Sequence, residues 1–197
     1  MKTYKITKAD LNENNEYIGK VDLSNYDGHI ESEIDLGWIR LRRISAKGHI
    51  WLSAGCGIEA GCGIEAGEGI KAGWGIKAGE GIEAGWGIEA GEGIEAGWGI
   101  KAGEGIKAGW GIEAGLTITA EWIRCKLRIF AGLAIWKKTK PEEMQIICKE
   151  LREGEICFGE LVIIKEEKPK MVKVICEGKE VEISRESAIA LNLVSNA

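Results

Sequence analysis

The sequence has little proline, little histidine and no long apolar run, and each shortage excludes a class of protein. Two prolines and two histidines, His29 and His49, occur in 197 residues. Neither histidine lies near a serine or cysteine in a pattern typical of a nucleophile with its base, so we expect no enzyme. No apolar run reaches membrane-spanning length, and the first twenty residues lack the apolar core of a signal peptide. These absences predict a cytoplasmic protein with no membrane partner.

The cysteines also lack the spacing of a metal site. No Cys-x-x-Cys pair occurs, and no histidine is close to a cysteine in the sequence. We therefore expect no bound metal and no cofactor. In the expected compartment the thiols are reduced rather than paired. The six cysteines are Cys56, Cys62, Cys125, Cys148, Cys157 and Cys176.

Glycine, in contrast, is abundant, and most of the 29 glycines belong to a six-residue unit, Ile-(Glu/Lys)-Ala-Gly-X-Gly, that repeats from Leu52 to Ile123. Ile and Ala are two positions apart, so a strand directs both to one side and the charged residue to the other. A unit that is one-third glycine disfavours a helix. Because repeats of this kind indicate a solenoid, the sequence predicts a parallel β-helix with corners at Gly-X-Gly.

The length of one coil follows from the X position, which alternates between Trp and Glu. A twelve-residue coil is favoured, because it stacks identical residues and gives one outward face alternating charges one strand spacing apart. That face consists of Glu65, Lys77, Glu89, Lys101 and Glu113. An eighteen-residue triangular coil, as in left-handed hexapeptide-repeat proteins, is the alternative, and it mixes Trp with Glu in every file.

In the twelve-residue coil the X residues form two candidate partner-binding files. The Trp file either faces outward, as an aromatic strip typical of interaction surfaces, or lies over the glycines and shields the backbone. The Glu file is either a solvated corner or a row of carboxylates that imitates phosphates. The Trp file consists of Trp74, Trp86, Trp98, Trp110 and Trp122, and the Glu file of Glu68, Glu80, Glu92 and Glu104.

Three segments are expected along the chain. Residues 1–16 form a strand and a loop, residues 17–136 form the β-helix of about ten coils, and residues 137–197 form a small α+β C-terminal cap. Within the cap, Pro141 and the spacing of Met144, Ile147, Cys148 and Leu151 predict a helix that Gly154 ends. Strands over residues 155–165, 171–176 and 181–183 and a final helix after Ser184 follow.

Charge indicates the kind of partner. Residues 52–123 contain eleven Glu and four Lys, a net charge of −7. An acidic surface argues against direct binding of nucleic acid and favours a basic partner, such as a protein that itself binds nucleic acid.

The repeats GIEAGWGIEAGEGIEAGWGIKAG and the following LRIFAGLAIWKKTKPEEMQI resemble a group of hexapeptide-repeat proteins from bacteria and their phages, over Gly28 to Gly159. The resemblance implies a β-solenoid and carries no activity. Small proteins of this kind are similar to phage-encoded inhibitors of host defence, including anti-CRISPR proteins. A phage-type inhibitor that binds a basic host effector is therefore the leading hypothesis, with a host-cytoplasmic location. A self-assembling rod or other homo-oligomer, and an acyltransferase using His29 or His49, are the alternatives.

Overall fold

The computed structural model describes residues 1–165, 171–176 and 179–191. It divides into two compact units, Met1–Ile164 and Lys165–Ala197. The first unit is a parallel β-solenoid, as the sequence predicts. No helix in the described residues is long and apolar enough to cross a membrane.

The solenoid has three faces, A, B and C, which the chain visits in that order on every turn. Face A contains β1 (Lys2–Ile6), β2 (Gly28–Ser32), β5 (Ile50–Trp51), β8 (Ile70–Ala72), β11 (Ile88–Ala90) and β14 (Gly105–Ala108). Face B contains β3 (Gly37–Leu41), β6 (Cys56–Ala60), β9 (Ile76–Ala78), β12 (Ile94–Ala96) and β15 (Ile112–Ala114). Face C contains β4 (Ile44–Ala46), β7 (Ile64–Ala66), β10 (Ile82–Ala84), β13 (Ile100–Ala102), β16 (Ile118–Thr119), β18 (Gln145–Cys148) and β20 (Glu160–Ile163).

Two long strands, β17 (Trp122–Ala131) and β19 (Glu150–Phe158), continue face A and then face B around one corner. The start of β17 pairs with β14, and its end pairs with β15. The described residues also contain two short 3-10 helices, Lys8–Asp10 and Pro141–Glu143.

One regular coil contains eighteen residues, so the prediction of a twelve-residue coil is wrong. Ile82 lies opposite Ile100 on face C, and Ile88 lies opposite Ile106 on face A. Face C has seven strands, one for each turn. At about 4.8 Å per strand this corresponds to roughly 30 Å along the axis, shorter than ten twelve-residue coils would give.

The interior is filled by the isoleucines and alanines of the repeat, as predicted. Every repeat Ile from Ile58 to Ile118 is at most 2% exposed, and the alanines between them are also buried. Because each strand contributes only one Ile and one Ala, a single coil cannot offset its own conformational entropy. Stacking of successive coils is therefore what stabilises the fold.

The segment after Trp136 continues the solenoid, and the predicted helix after Pro141 is wrong. Ile146 and Cys148 are fully buried in β18, where Ile146 lies opposite Ile118 of the preceding turn. Their two-residue spacing matches a strand, and pairing with the open edge of β16 overrides the helical spacing of the other apolar residues. Gly154, predicted to end the helix, instead has a φ of 128° within β19.

The described part of the second unit matches the predicted order of elements. β21 (Met171–Cys176) and β22 (Lys179–Ser184) form an antiparallel pair, and α1 (Arg185–Ala190) follows directly. Ser184 comes immediately before α1, at the position predicted for the helix start. The predicted turn at residues 177 and 178 lies outside the described residues.

The corners are formed by close stacking rather than by unusual backbone angles. In the regular repeat, a Cβ added to the glycine after Ala would overlap the carbonyl oxygen of the preceding coil; for Gly91 this is the oxygen of Gly73. The N–H of Gly91 donates to the carbonyl of Ala72, 3.1 Å away. Only glycine therefore allows the coils to approach closely enough for these corner hydrogen bonds.

The glycine before Ile is in a different environment. A Cβ on Gly93 would lie 3.5 Å from the carbonyl oxygen of Gly111, an ordinary contact distance. These outward-facing glycines stack from coil to coil as three glycine tracks. Track A contains Gly69, Gly87 and Gly105, track B contains Gly57, Gly75, Gly93 and Gly111, and track C contains Gly63, Gly81 and Gly99.

The two kinds of glycine are expected to tolerate alanine differently. Gly91→Ala should reduce the free energy of unfolding by about 1–3 kcal/mol, because the coils must separate at that corner. Gly93→Ala, two residues away, should change it by less than about 0.5 kcal/mol. Urea denaturation followed by circular dichroism measures both. Equal losses in the two variants would contradict the steric explanation of the corner.

Candidate interaction surface

The eighteen-residue coil places Trp and Glu alternately along every corner, so neither predicted file exists. Corner AB, between faces A and B, carries Trp74, Glu92 and Trp110, preceded by Cys56 and followed by Leu127. Corner BC carries Cys62, Glu80, Trp98 and Leu116, and corner CA carries Glu68, Trp86, Glu104 and then Glu121 and Trp122. From Trp74 onward, the backbone N–H of each corner residue donates to the carbonyl of the corner residue one coil earlier.

The indole rings differ in exposure, and both predicted orientations occur. Trp86, Trp98 and Trp110 are 52%, 46% and 55% exposed. Trp74 is half-buried, with its ring tilted against that of Trp38 at a centroid distance of 6.5 Å. Trp122 is also half-buried, and the guanidinium of Arg152 lies 4.2 Å from its ring centroid. Three of the five rings are therefore available to a partner.

Glycine track B forms the floor of a groove on face B with a volume of about 410 Å³. Trp38 lies at one end of the track, where its ring covers Gly57 and Gly75. Trp110, Leu127 and Phe130 line the other end. Because the glycines have no side chains, the rings project beyond a flat backbone surface. Face B thus presents apolar walls beside an uncovered backbone.

Charged side chains on the faces form pairs between neighbouring coils. Lys107 donates to Glu89 at 2.7 Å on face A, and this hydrogen bond holds the pKa of Glu89 below its usual value. Lys77 Nζ lies 3.0 Å from Glu95 Oε2 on face B, and the hydrogen bond that Lys77 donates to Glu95 raises the pKa of Lys77.

The row of five alternating charges predicted for one face does not exist. Its members are distributed over all three faces because the coil has eighteen residues.

Some carboxylates on and beside face B remain outside these pairs. Among the described residues, no ion pair within 4 Å involves Glu92 or Glu113. Glu92 lies on corner AB between two indoles, and both carboxylates line the face B groove. The groove therefore combines aromatic walls with carboxylates that can accept hydrogen bonds.

The five cysteines whose surroundings the structure describes give no sign of nucleophilic chemistry. Cys56, Cys125 and Cys148 are buried, and burial raises the pKa of Cys125 and Cys148. A raised pKa keeps a thiol protonated and weakly nucleophilic. Cys62 and Cys157 are more exposed, and all five are free thiols.

The histidines are the residues whose proximity the sequence analysis missed. His29 and His49 are twenty positions apart, yet their rings stack at a centroid distance of 4.1 Å. Both occur in a Gly-His-Ile triplet, in which the histidine occupies the position that glycine has in track A. That repeated triplet, separated by nearly one coil, is the signal that could have identified the pair.

Comparisons of this chain with protein-family models, with curated proteins and with solved structures found no match.

Proposed function

We propose that the chain is a non-enzymatic interaction scaffold whose corner AB and face B groove bind a basic, arginine-rich segment of a partner protein. In its most concrete form it is a phage-type, anti-CRISPR-like inhibitor that occupies the nucleic-acid-binding groove of a host defence effector. The position of Glu92 and Trp110 on corner AB, at the edge of the apolar face B groove, is the observation that carries this proposal.

Indole and carboxylate together suit a guanidinium group. Successive corner residues are one strand spacing apart, about 4.8 Å, so one arginine can stack on Trp110 while it donates to Glu92. Guanidinium groups stack on aromatic faces and form strong hydrogen bonds with carboxylates. Arg152 already makes the stacking half of this contact on Trp122. Lysine lacks the planar group needed to do both equally well.

Charge supports a basic protein rather than nucleic acid. The repeat region has a net charge of −7, and Glu92 and Glu113 are free to accept hydrogen bonds from a partner. An acidic surface repels phosphates and attracts the surfaces that bind them. A protein bound here would therefore compete with nucleic acid for the partner.

Backbone pairing at every corner supports tight binding without large ordering costs. The corner N–H groups of Trp86, Trp98 and Trp110 all donate to the preceding coil at 3.0–3.1 Å. A surface that is already ordered loses less conformational entropy when it binds. The solenoid thus provides a fixed spacing of aromatic and acidic groups.

A fluorescent nine-arginine peptide tests the surface directly. The double variant Trp110→Ala/Glu92→Gln should bind it about tenfold more weakly than the wild type, since loss of stacking and a charged hydrogen bond costs at least about 1.4 kcal/mol. Fluorescence anisotropy measures the affinity. Circular dichroism spectra of both proteins check that the coil is intact.

The matched control is Trp86→Ala/Glu104→Gln on corner CA, which removes the same groups and the same charge. It should change the affinity less than about threefold, because it keeps Glu92 and Trp110 and removes only a more distant, screened negative charge. Equal losses in the two double variants would refute a specific site on corner AB. Binding of a labelled DNA duplex by the wild type would refute the preference for a basic protein.

A self-assembling rod is the second candidate, and the last turn favours it. Leu161, Ile163 and Ile164 are 38–48% exposed at the end of face C, and β20 is the terminal strand of its sheet. Exposed apolar edge strands can pair with another chain. Negative-stain electron microscopy of the full chain should show discrete particles if the inhibitor proposal holds. Filaments that disappear in the Ile163→Lys variant would favour the rod.

A further inference from the structure

We infer that His29, His49 and Glu68 form a binding site for one transition-metal ion of the Zn²⁺ type, at the start of track A. The three residues come from three successive coils: His29 lies in β2, His49 immediately precedes β5, and Glu68 lies on corner CA. Their nearest ligand atoms all lie within 4.8 Å of one another.

The distances suit a tetrahedral ion. Glu68 Oε2 lies 3.4 Å from Nδ1 of His49 and 3.7 Å from Nδ1 of His29. Ligand atoms about 2.1 Å from a tetrahedral zinc ion lie about 3.4 Å from one another. Small side-chain rotations therefore bring both nitrogens and the carboxylate to one ion, and a fourth position stays open.

A second carboxylate orients one of the imidazoles. Glu31 Oε1 lies 3.3 Å from Nε2 of His49, on the side of the ring away from Glu68. Metal-binding histidines characteristically donate their other N–H to a carboxylate, which fixes the tautomer and increases the basicity of the ligating nitrogen. Glu31 is the carboxylate in this position. When Nε2 of His49 carries the proton and donates to Glu31, the lone pair of Nδ1 is directed toward Glu68.

The surroundings also hold the rings in place. His49 is only 9% exposed and lies between the ring of His29 and that of Trp51, whose centroid is 3.8 Å away. A Cβ at Gly48 would overlap the imidazole of His29. The backbone N–H of His49 donates to Nδ1 of His29 at 3.1 Å, so Nδ1 is the nitrogen that offers its lone pair. The bound ion replaces this hydrogen bond.

The donor set selects the class of ion. Two imidazoles and a carboxylate are typical ligands of zinc, whereas calcium and magnesium require mostly oxygen ligands. Such an ion would join three successive coils, because its ligands lie on successive turns. Metal binding of this kind contributes directly to the free energy of folding.

Metal titration of the full chain tests the inference. Protein treated with a chelator and carrying Cys157→Ser, to remove the exposed thiol, should bind one Zn²⁺ per chain in isothermal titration calorimetry. Its melting temperature should rise with free Zn²⁺, because the ion binds the folded state. Co²⁺ should give the visible absorption of a tetrahedral nitrogen and oxygen site.

Two carboxylate variants on the same corner provide the matched comparison. Glu68→Gln should weaken Zn²⁺ binding at least about tenfold and abolish the rise in melting temperature. Glu104→Gln, two coils further along corner CA and away from both histidines, should bind like the parent protein. His29→Gln should behave like Glu68→Gln.

Three results would overturn the inference: no Zn²⁺ binding by the parent protein, equal effects of the Glu68 and Glu104 variants, or a thiolate charge-transfer band with Co²⁺. The last result would mean that cysteines hold the ion. Any of them would leave His49 as an imidazole that bonds to Glu31 and stacks on His29 and Trp51. The outcome is independent of the peptide-binding test, because none of these residues lies on corner AB or face B.

Discussion

The structure depends on one close contact between neighbouring coils. At each corner, a carbonyl oxygen of one coil approaches the α-carbon of a glycine in the next coil, and this glycine is the one that follows Ala. At Gly91 the approach leaves no space for a Cβ, and it allows the corner N–H to donate across the coils. Without it the corners would separate and their backbone groups would lose their partners, which is costly in a buried or half-buried position. With it, corners and strands share one continuous set of hydrogen bonds.

The eighteen-residue coil also has an electrostatic advantage over the twelve-residue coil. Twelve residues per coil would place Glu68, Glu80, Glu92 and Glu104 in one column about 4.8 Å apart, where like charges repel. Eighteen residues place an indole between successive corner carboxylates, as Trp86 is placed between Glu68 and Glu104. The same register brings Lys107 and Glu89 into contact on face A. Repulsion between stacked carboxylates is thus evidence against the shorter coil.

The fold class could be predicted from the sequence because every repeat contains the two residues, Ile and Ala, that fill the interior. Ile and Ala at two-residue spacing specify a strand with one buried side, and all the repeat isoleucines are buried. The coil length was harder to predict, because a unit of six divides both twelve and eighteen. Side-chain identity repeats every twelve residues, whereas backbone stacking is decided by carbonyl and glycine contacts that do not depend on X.

The continuation of the solenoid through β18 and β19 was missed for a related reason. Ile146 and Ile147 fit a helix or a strand equally well in isolation, and short apolar runs are ambiguous in this way. The open edge of β16 favours the strand, because the backbone groups of Ile118 and Thr119 need hydrogen-bond partners on the next turn. The spacing of apolar residues along the sequence does not show this long-range pairing requirement. It becomes predictable once the preceding turns are known to stack in parallel.

The proposed metal site lies where the repeat is interrupted rather than where it is regular. Within the regular turns the position before Ile is glycine, but the same position holds His29 and His49 at the start of track A, Trp38 at the start of track B and Arg43 before track C. In a uniform repeat every coil has the same neighbouring side chains, so no single coil can bind a small ligand selectively. In the irregular first coils, different side chains lie on successive coils and are within contact distance of one another. A metal site at one place along the solenoid therefore arises in its irregular first coils, while the regular turns determine spacing and rigidity.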